Sequence, residues 1–100
     1  MADKITHSTG NVFEDLGFPK EEAENLKVRS ALTAIIRAII EEESLTQARA
    51  AKLFGVTQPR ISDLVRGKIE LFSIDALVNM VAATGRHVEI SVEAPTNEAA

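Results

Sequence analysis

Apolar side chains recur at helical spacing along most of this chain, and the longest run predicts a helix from Pro19 to about Glu43. Pro19 suits the first turn of a helix, where its missing N–H would have no acceptor. The glutamates that follow favour the positive end of the helix dipole. One broad apolar stripe then continues through Val28, Leu32, Ile35, Ile36, Ile39 and Ile40. Such a stripe indicates a long amphipathic helix that supports the rest of the fold.

Two shorter apolar periods lie between Leu45 and Lys68. The first contains Leu45, Ala50, Ala51 and Phe54, and the second contains Ile61, Leu64 and Val65. Between them, Gly55 can adopt the positive φ that ends a helix, and Thr57 can cap the next helix. Two apolar faces this short must pack against each other and against a third element. This arrangement is typical of a helix-turn-helix.

Another helix is predicted after the apolar connection that ends at Phe72. Ser73 is a favourable N-cap residue, and Gly85 provides a C-terminal stop. The apolar face of this helix contains Ile74, Leu77, Val78 and Val81. With the long helix and the helix-turn-helix, it completes a helical bundle.

Near the C-terminus, the spacing of apolar positions changes to two. Val88, Ile90 and Val92 alternate with polar residues, which predicts a half-buried strand over residues 86–94. One strand in a helical chain has no ladder partner, so its backbone groups favour pairing with another chain. We therefore expect these three residues to join two copies in a homodimer. The alternative is pairing within the chain, with residues near 1–12.

The 100 residues are enough for one small domain with one core. We predict an N-terminal arm and apolar clasp at 1–18, a helical domain at 19–85 with its helix-turn-helix at 45–68, a dimerisation strand at 86–94 and a tail at 95–100. The clasp side chains are Val12, Phe13, Leu16 and Phe18. We expect them to pack on the domain, and a docking peptide for a partner is the alternative interpretation.

The net charge of minus 4 argues against nucleic-acid binding unless the charges are unevenly distributed. Residues 1–43 carry nine acids and five bases, and residues 69–100 carry five acids and one base. Residues 44–68, by contrast, carry one acid and five bases. The predicted helix-turn-helix is therefore the basic segment of the chain, while the acidic flanks suit a basic partner.

In a helix-turn-helix, the N-terminal part of the second helix enters the major groove. Gln58 can bridge N6 and N7 of adenine, Arg60 can bind O6 and N7 of guanine, and Ser62 can contact a base or a phosphate. Phosphate contacts are predicted for Thr46, Gln47, Thr57, Arg66 and Lys68. So few contacts per monomer would bind weakly, which predicts a homodimer on a palindromic, double-stranded operator.

Composition narrows the remaining functional classes. The chain contains no cysteine, which excludes disulfides and thiolate metal sites. Its two histidines, His7 and His87, lie far apart on polar positions, so we expect no metal, no cofactor and no enzymatic activity. No apolar run approaches the ~20 residues that a membrane helix needs, and the N-terminus lacks the core of a secretory signal. We expect a cytoplasmic protein that is associated with the nucleoid when bound to DNA.

The segment LTQARAAKLFGVTQPRISDLVRGK resembles the helix-turn-helix of the λ-repressor-like family, also called Cro/CI or XRE. The resemblance implies an all-α, λ-repressor-like DNA-binding bundle of about five helices, to which the predicted short β-strand is added at the C-terminus. It also implies that Gln47 and Gln58 contact DNA. Pro59 departs from the λ repressor pattern, in which a polar residue stands there, and we expect a van der Waals contact to DNA instead.

A longer resemblance, over about residues 8–94, is to the HigA-like antitoxins. It includes the N-terminal segment STGNVFEDLGF, the helix FSIDALVNMVAATG and the strand VEISVEA. It implies a type II toxin-antitoxin operon that the protein represses, and a small basic toxin partner, an RNase of the HigB/RelE type. The alternative is a stand-alone XRE-family regulator without a toxin. A pure protein-interaction module would leave Gln58, Arg60 and Arg66 without a role.

Overall fold

The computed structural model describes residues 11–95, which contain five α-helices and one 3₁₀ turn. The elements in order are α1 Val12–Asp15, α2 Lys20–Glu42, α3 Gln47–Phe54, α4 Gln58–Val65, the 3₁₀ turn Ile69–Leu71 and α5 Ile74–Ala83. The predicted helical bundle is therefore confirmed for this part of the chain. Most of the predicted arm, residues 1–10, and nearly all of the tail, residues 96–100, lie outside the described residues.

The core lies where α2, α3, α4 and α5 meet. Its buried side chains are Leu32, Ile36, Ile39, Ala50, Ala51, Phe54, Ile61, Leu64, Phe72, Leu77, Met80 and Val81. Every predicted apolar face contributes to this cluster, but three predicted core positions are only partly covered. Val28 is 39% exposed, Ile35 is 50% exposed and Val65 is 38% exposed. A helix buries only the arc that a neighbour covers, and the predicted stripes were wider than that arc.

The turn of the helix-turn-helix has the predicted conformation. Gly55 ends α3 with φ of 72° and ψ of 32°, in the left-handed region. Its N–H donates to the carbonyl of Ala51, and Thr57 then takes the N-cap position of α4. The two short helices therefore pack at a fixed angle, because the turn contains only three residues between them.

The N-terminal segment differs from the predicted clasp. Asn11 is buried and organises it: its Oδ1 accepts from the N–H of Phe13 at 2.9 Å, and its Nδ2 donates to the carbonyl of Ala23 on α2 at 3.0 Å. The expectation that all four apolar side chains pack on the domain was wrong, because Val12 is 60% exposed and Leu16 is 71% exposed. A four-residue helix can turn only one face toward α2, and here the capping asparagine determines which face.

The predicted C-terminal strand is absent from the described residues, where 86–95 form an extended segment without strand structure. Val88 packs against the core, but Ile90 is 80% exposed and Val92 is 90% exposed. A β-strand forms only when its backbone groups pair with those of a neighbouring strand. No neighbouring segment of the described chain provides such a partner. The alternative partner, near 1–12, falls mostly outside the described residues.

None of the described helices is long and apolar enough to cross a membrane.

Replacing Gly55 by alanine should lower the free energy of unfolding by about 1 kcal/mol, because a Cβ is unfavourable at positive φ. Space does not explain such a loss, since a methyl carbon added at Gly55 would lie at an ordinary 3.8 Å from its nearest neighbour, the Cβ of Ala83. Asparagine tolerates this conformation better, so Gly55→Asn should retain more stability in urea denaturation. An alanine variant more stable than the asparagine variant would contradict this explanation.

Candidate nucleic-acid interface

The N-termini of α3 and α4 carry most of the predicted DNA contacts. Thr46 and Gln47 start α3, and Thr57 and Gln58 start α4; all four residues are exposed. Each helix directs the positive end of its dipole outward from this end. Unpaired N–H groups accompany it at α3, whereas α4 offers fewer of them because Pro59 has none. Phosphate oxygens are suitable acceptors for such groups.

The two N-cap threonines differ in how their hydroxyls are used. The Oγ1 of Thr46 accepts from the N–H of Arg49 at 3.1 Å, which stabilises the start of α3. Thr57 makes no side-chain cap hydrogen bond. A threonine hydroxyl can donate one bond while it accepts others, so both side chains can still donate to a phosphate.

The orientation of α4 is fixed by its buried side. Ile61 and Leu64 have no exposed surface, so the residues on the other side of the helix must face outward. Gln58, Pro59 and Arg66 are exposed, as base or phosphate contacts require, and Ser62 is half-buried. Within the described chain, neither Gln47 nor Gln58 makes a side-chain hydrogen bond, so both side chains can turn toward DNA.

Arg60 is placed differently from the other predicted base-reading residues. Its guanidinium carbon lies 4.1 Å above the centre of the Phe72 ring, and its Nη1 donates to the carbonyl of Leu71 at 3.1 Å. The side chain therefore leans across the 3₁₀ turn and is half-buried. Sequence reasoning missed this contact, because the two residues are twelve positions apart and belong to different elements.

A second arginine holds the same turn from the other side. Arg29 of α2 reaches the carbonyls of Ile69 at 3.4 Å and Phe72 at 3.5 Å through Nη1, while its Nε donates to Asn25 at 2.6 Å. Both arginines thus donate to backbone carbonyls of the 3₁₀ turn and its end, one of which, that of Ile69, also accepts from the N–H of Phe72. The segment after the recognition helix is consequently attached to both α2 and α4.

Asp63 and Lys68 form a weak ion pair at the edge of this surface. Their charged atoms are 4.0 Å apart, and the aspartate side chain is 29% exposed. The pair explains how an acid can stand on α4 in the basic segment. It also means that Lys68 is shared between Asp63 and any phosphate.

The predicted dimerisation residues do not lie with the DNA-contact residues. Val88 is attached to the core, while Ile90 and Val92 extend along α2. Among residues 11–95, no group of three histidine or acidic side chains is arranged to hold a metal ion. The helix termini and outward side chains of α3 and α4 therefore form the candidate site.

Two short helices at a tight turn, the second with an outward polar face, define a DNA-binding helix-turn-helix. A family model described as a helix-turn-helix domain matches residues 12–93. A solved structure named "Putative XRE Family Transcriptional Regulator" superposes with a TM-score of 0.69 at 31% identity, covering 77% of this chain and 86% of that chain. A search of curated proteins gave no match. The chain belongs to the XRE-like helix-turn-helix family, whose fold is that of DNA-binding regulators and is typically not enzymatic.

Replacing Arg60 by alanine should lower the free energy of unfolding by about 1–2 kcal/mol, since a cation–π contact and a hydrogen bond are lost. Urea denaturation measures the change. Arg66→Ala is the matched control, because Arg66 is exposed and makes no side-chain contact of this kind; its effect should stay within about 0.5 kcal/mol. Equal losses in the two variants would show that the Phe72 contact contributes nothing.

Proposed function

We propose that this protein is a sequence-specific transcriptional repressor that reads a palindromic, double-stranded operator as a homodimer. The observation that carries the proposal is the exposure of the polar N-terminal ends of α3 and α4 within the basic segment of an acidic chain. Reading bases from the start of α4 gives specificity, while the acidic remainder weakens attachment to arbitrary DNA. The protein acts in the cytoplasm, on the nucleoid.

In this proposal, Gln58 reads an adenine, Pro59 contacts an apolar base edge such as a thymine methyl, and Ser62 contacts a base or a phosphate. Their positions along one exposed or half-exposed side of α4 support these roles. The phosphate contacts come from Thr46, Gln47, Thr57, Arg66 and Lys68, which position the helix without selecting a sequence.

Arg60 can read guanine while it remains stacked. The stack occupies the face of its guanidinium, and Leu71 takes one donor on Nη1. A guanidinium carries five N–H donors at its edge, so donors remain for O6 and N7 of guanine. The Phe72 ring would then hold the arginine in position before DNA arrives, which reduces the entropy lost on binding.

Gln58→Ala should weaken binding to the operator by about 1–3 kcal/mol, because a bidentate adenine contact is lost. Fluorescence anisotropy should be measured on a duplex that the wild-type protein protects in footprinting and on a scrambled duplex of equal length. Only the first affinity should fall. Asn79→Ala, an exposed polar change on α5, is the control and should alter neither. Equal losses on both duplexes would assign Gln58 to phosphate binding instead.

The more specific form of the proposal is that the repressor is an antitoxin, which neutralises a small basic RNase toxin of the HigB/RelE type and represses the shared operon. It is supported by the exposed apolar residues around α1. Val12 is 60% exposed, Leu16 is 71% exposed and Phe18 is 39% exposed. Glu14 and Asp15 lie among them, so the patch combines apolar surface with negative charge. Such a combination suits a basic protein partner.

Leu16→Lys should reduce capture of the toxin at least about 30-fold, because an interface anchor is lost and a like charge faces a basic partner. The test is co-purification with the product of a small neighbouring reading frame. Leu71→Lys is the matched control, since this leucine is 46% exposed on the 3₁₀ turn and lies outside the patch. If Leu16→Lys still captures the product, the toxin binds a different surface. If the wild-type protein captures nothing, or if no such reading frame exists, the stand-alone XRE-family regulator is favoured.

A further inference from the structure

The extended C-terminal segment, residues 86–95, leaves the bundle at a fixed point and then remains unpaired. Arg86 forms an ion pair with Glu43 at 2.9 Å, and its N–H donates to the hydroxyl of Thr84 at 3.3 Å. Beyond it, no backbone hydrogen bond in the described chain involves residues 87–95. The segment therefore starts from an anchored position and presents free N–H and C=O groups.

An apolar cleft of about 610 Å³ lies between this segment, α2 and α5. Its walls include Val28, Ala31 and Ile35 of α2 and Val78 of α5. Val28 and Ile35 are the two residues of the α2 stripe that the bundle leaves 39% and 50% exposed. The uncovered part of the α2 stripe and the exposed Ile90 of the C-terminal segment thus border the same space.

We propose that a second copy of this chain fills this space by pairing its own C-terminal segment antiparallel to the first, with Ile90 opposite Ile90 on the twofold axis. This inference rests on the proposed homodimer and specifies its register. Val88 of each copy then faces Val92 of the other, Glu89 faces Ser91, and His87 faces Glu93. The apolar side of the resulting ribbon covers Val28 and Ile35 of both copies.

The register follows from side-chain alternation and charge. Residues directly opposite each other in an antiparallel pair lie on the same side of the ribbon, so apolar residues meet apolar residues only when the axis passes through a residue. An axis through Glu89 would place two glutamates against each other. An axis through Ser91 would place Glu89 against Glu93. An axis through any of the three apolar residues avoids like-charge pairs, which are unfavourable when directly opposite. Only the axis through Ile90 also places all three apolar residues opposite one another.

A parallel pair is excluded by the same argument, because in register it would place Glu89 and Glu93 beside their own copies. The antiparallel ribbon also needs support, since two strands alone are marginally stable in water. The exposed residues of α2 provide that support. Occupation by a second copy therefore buries apolar surface that the single chain leaves in water.

Replacing Ser91 tests the register, because this residue is exposed in the single chain and faces Glu89 only in the proposed dimer. Sedimentation equilibrium should give a dimer dissociation constant roughly 2- to 30-fold lower for Ser91→Lys and higher by a similar factor for Ser91→Glu, since two such pairs form per dimer. Loss of affinity in both variants would indicate an axis through Ser91 and overturn the proposal. Unchanged affinity in both would place the interface elsewhere.

The absence of cysteine provides a second, independent readout. Among single variants of the full chain, Ile90→Cys should form a disulfide-linked dimer faster than Glu89→Cys or Ser91→Cys, because only the residue on the axis lies directly opposite its own copy. Fastest cross-linking at 89 or 91 would overturn the register. Since Ile90 is 80% exposed, the folded monomer tolerates the change.

Failure of the homodimer and failure of the register are distinguishable. Wild-type protein that remains monomeric at high micromolar concentration, in sedimentation and on DNA alike, would overturn both. If the wild-type protein is dimeric and Ile90→Glu is as dimeric as the control Leu71→Glu, the homodimer is retained but the proposed dimer surface is overturned. If Ile90→Glu becomes monomeric while Leu71→Glu stays dimeric, the surface is confirmed.

Discussion

Ile61 and Leu64 are completely buried beneath the recognition helix, together with Phe54 and Ile36 at 1% and 0% exposure. This contact fixes the rotation of α4 about its own axis, and the proposed function depends on that rotation. If the buried positions were shifted by one residue along α4, the helix would be rotated by about 100°, since an α-helix has 3.6 residues per turn. Different side chains would then point at the DNA.

The arginines around the 3₁₀ turn extend this constraint to the segment after α4. Arg29 comes from the long helix and Arg60 from the recognition helix. Phe72, 1% exposed, stacks its ring under Arg60 and offers its carbonyl to Arg29. The same geometry gives Arg60 two roles, one in the fold and one proposed in base recognition, so the stability of its variants must be known before their DNA affinities are interpreted.

The elements that local chemistry determines were predictable from the sequence. Proline at the start of α2, Gly55 at the turn and Ser73 before α5 act within a few residues, so their effects can be read from the chain. Periodicity also identified the buried sides of α2 to α5, but not the width of each buried side, which depends on what covers it. The Arg60–Phe72 contact and the hydrogen bond from Asn11 to the carbonyl of Ala23 required the tertiary structure. The strand predicted over 86–94 is absent for a related reason, because a strand needs a paired neighbour and no segment of the described chain pairs with it.

The number of basic residues available to bind phosphate explains why the proposed DNA recognition needs a dimer. Of the five bases in residues 44–68, Arg60 is stacked on Phe72 and Lys68 is near Asp63, which leaves three cations solely for phosphate. Because non-specific affinity rests largely on phosphate neutralisation, a single copy should bind DNA weakly. In the proposed dimer, the second half-site is bound at the high effective concentration set by the first. A partner that covers residues 86–95 would then lower operator affinity without contacting α4, and one that joins two copies there would raise it.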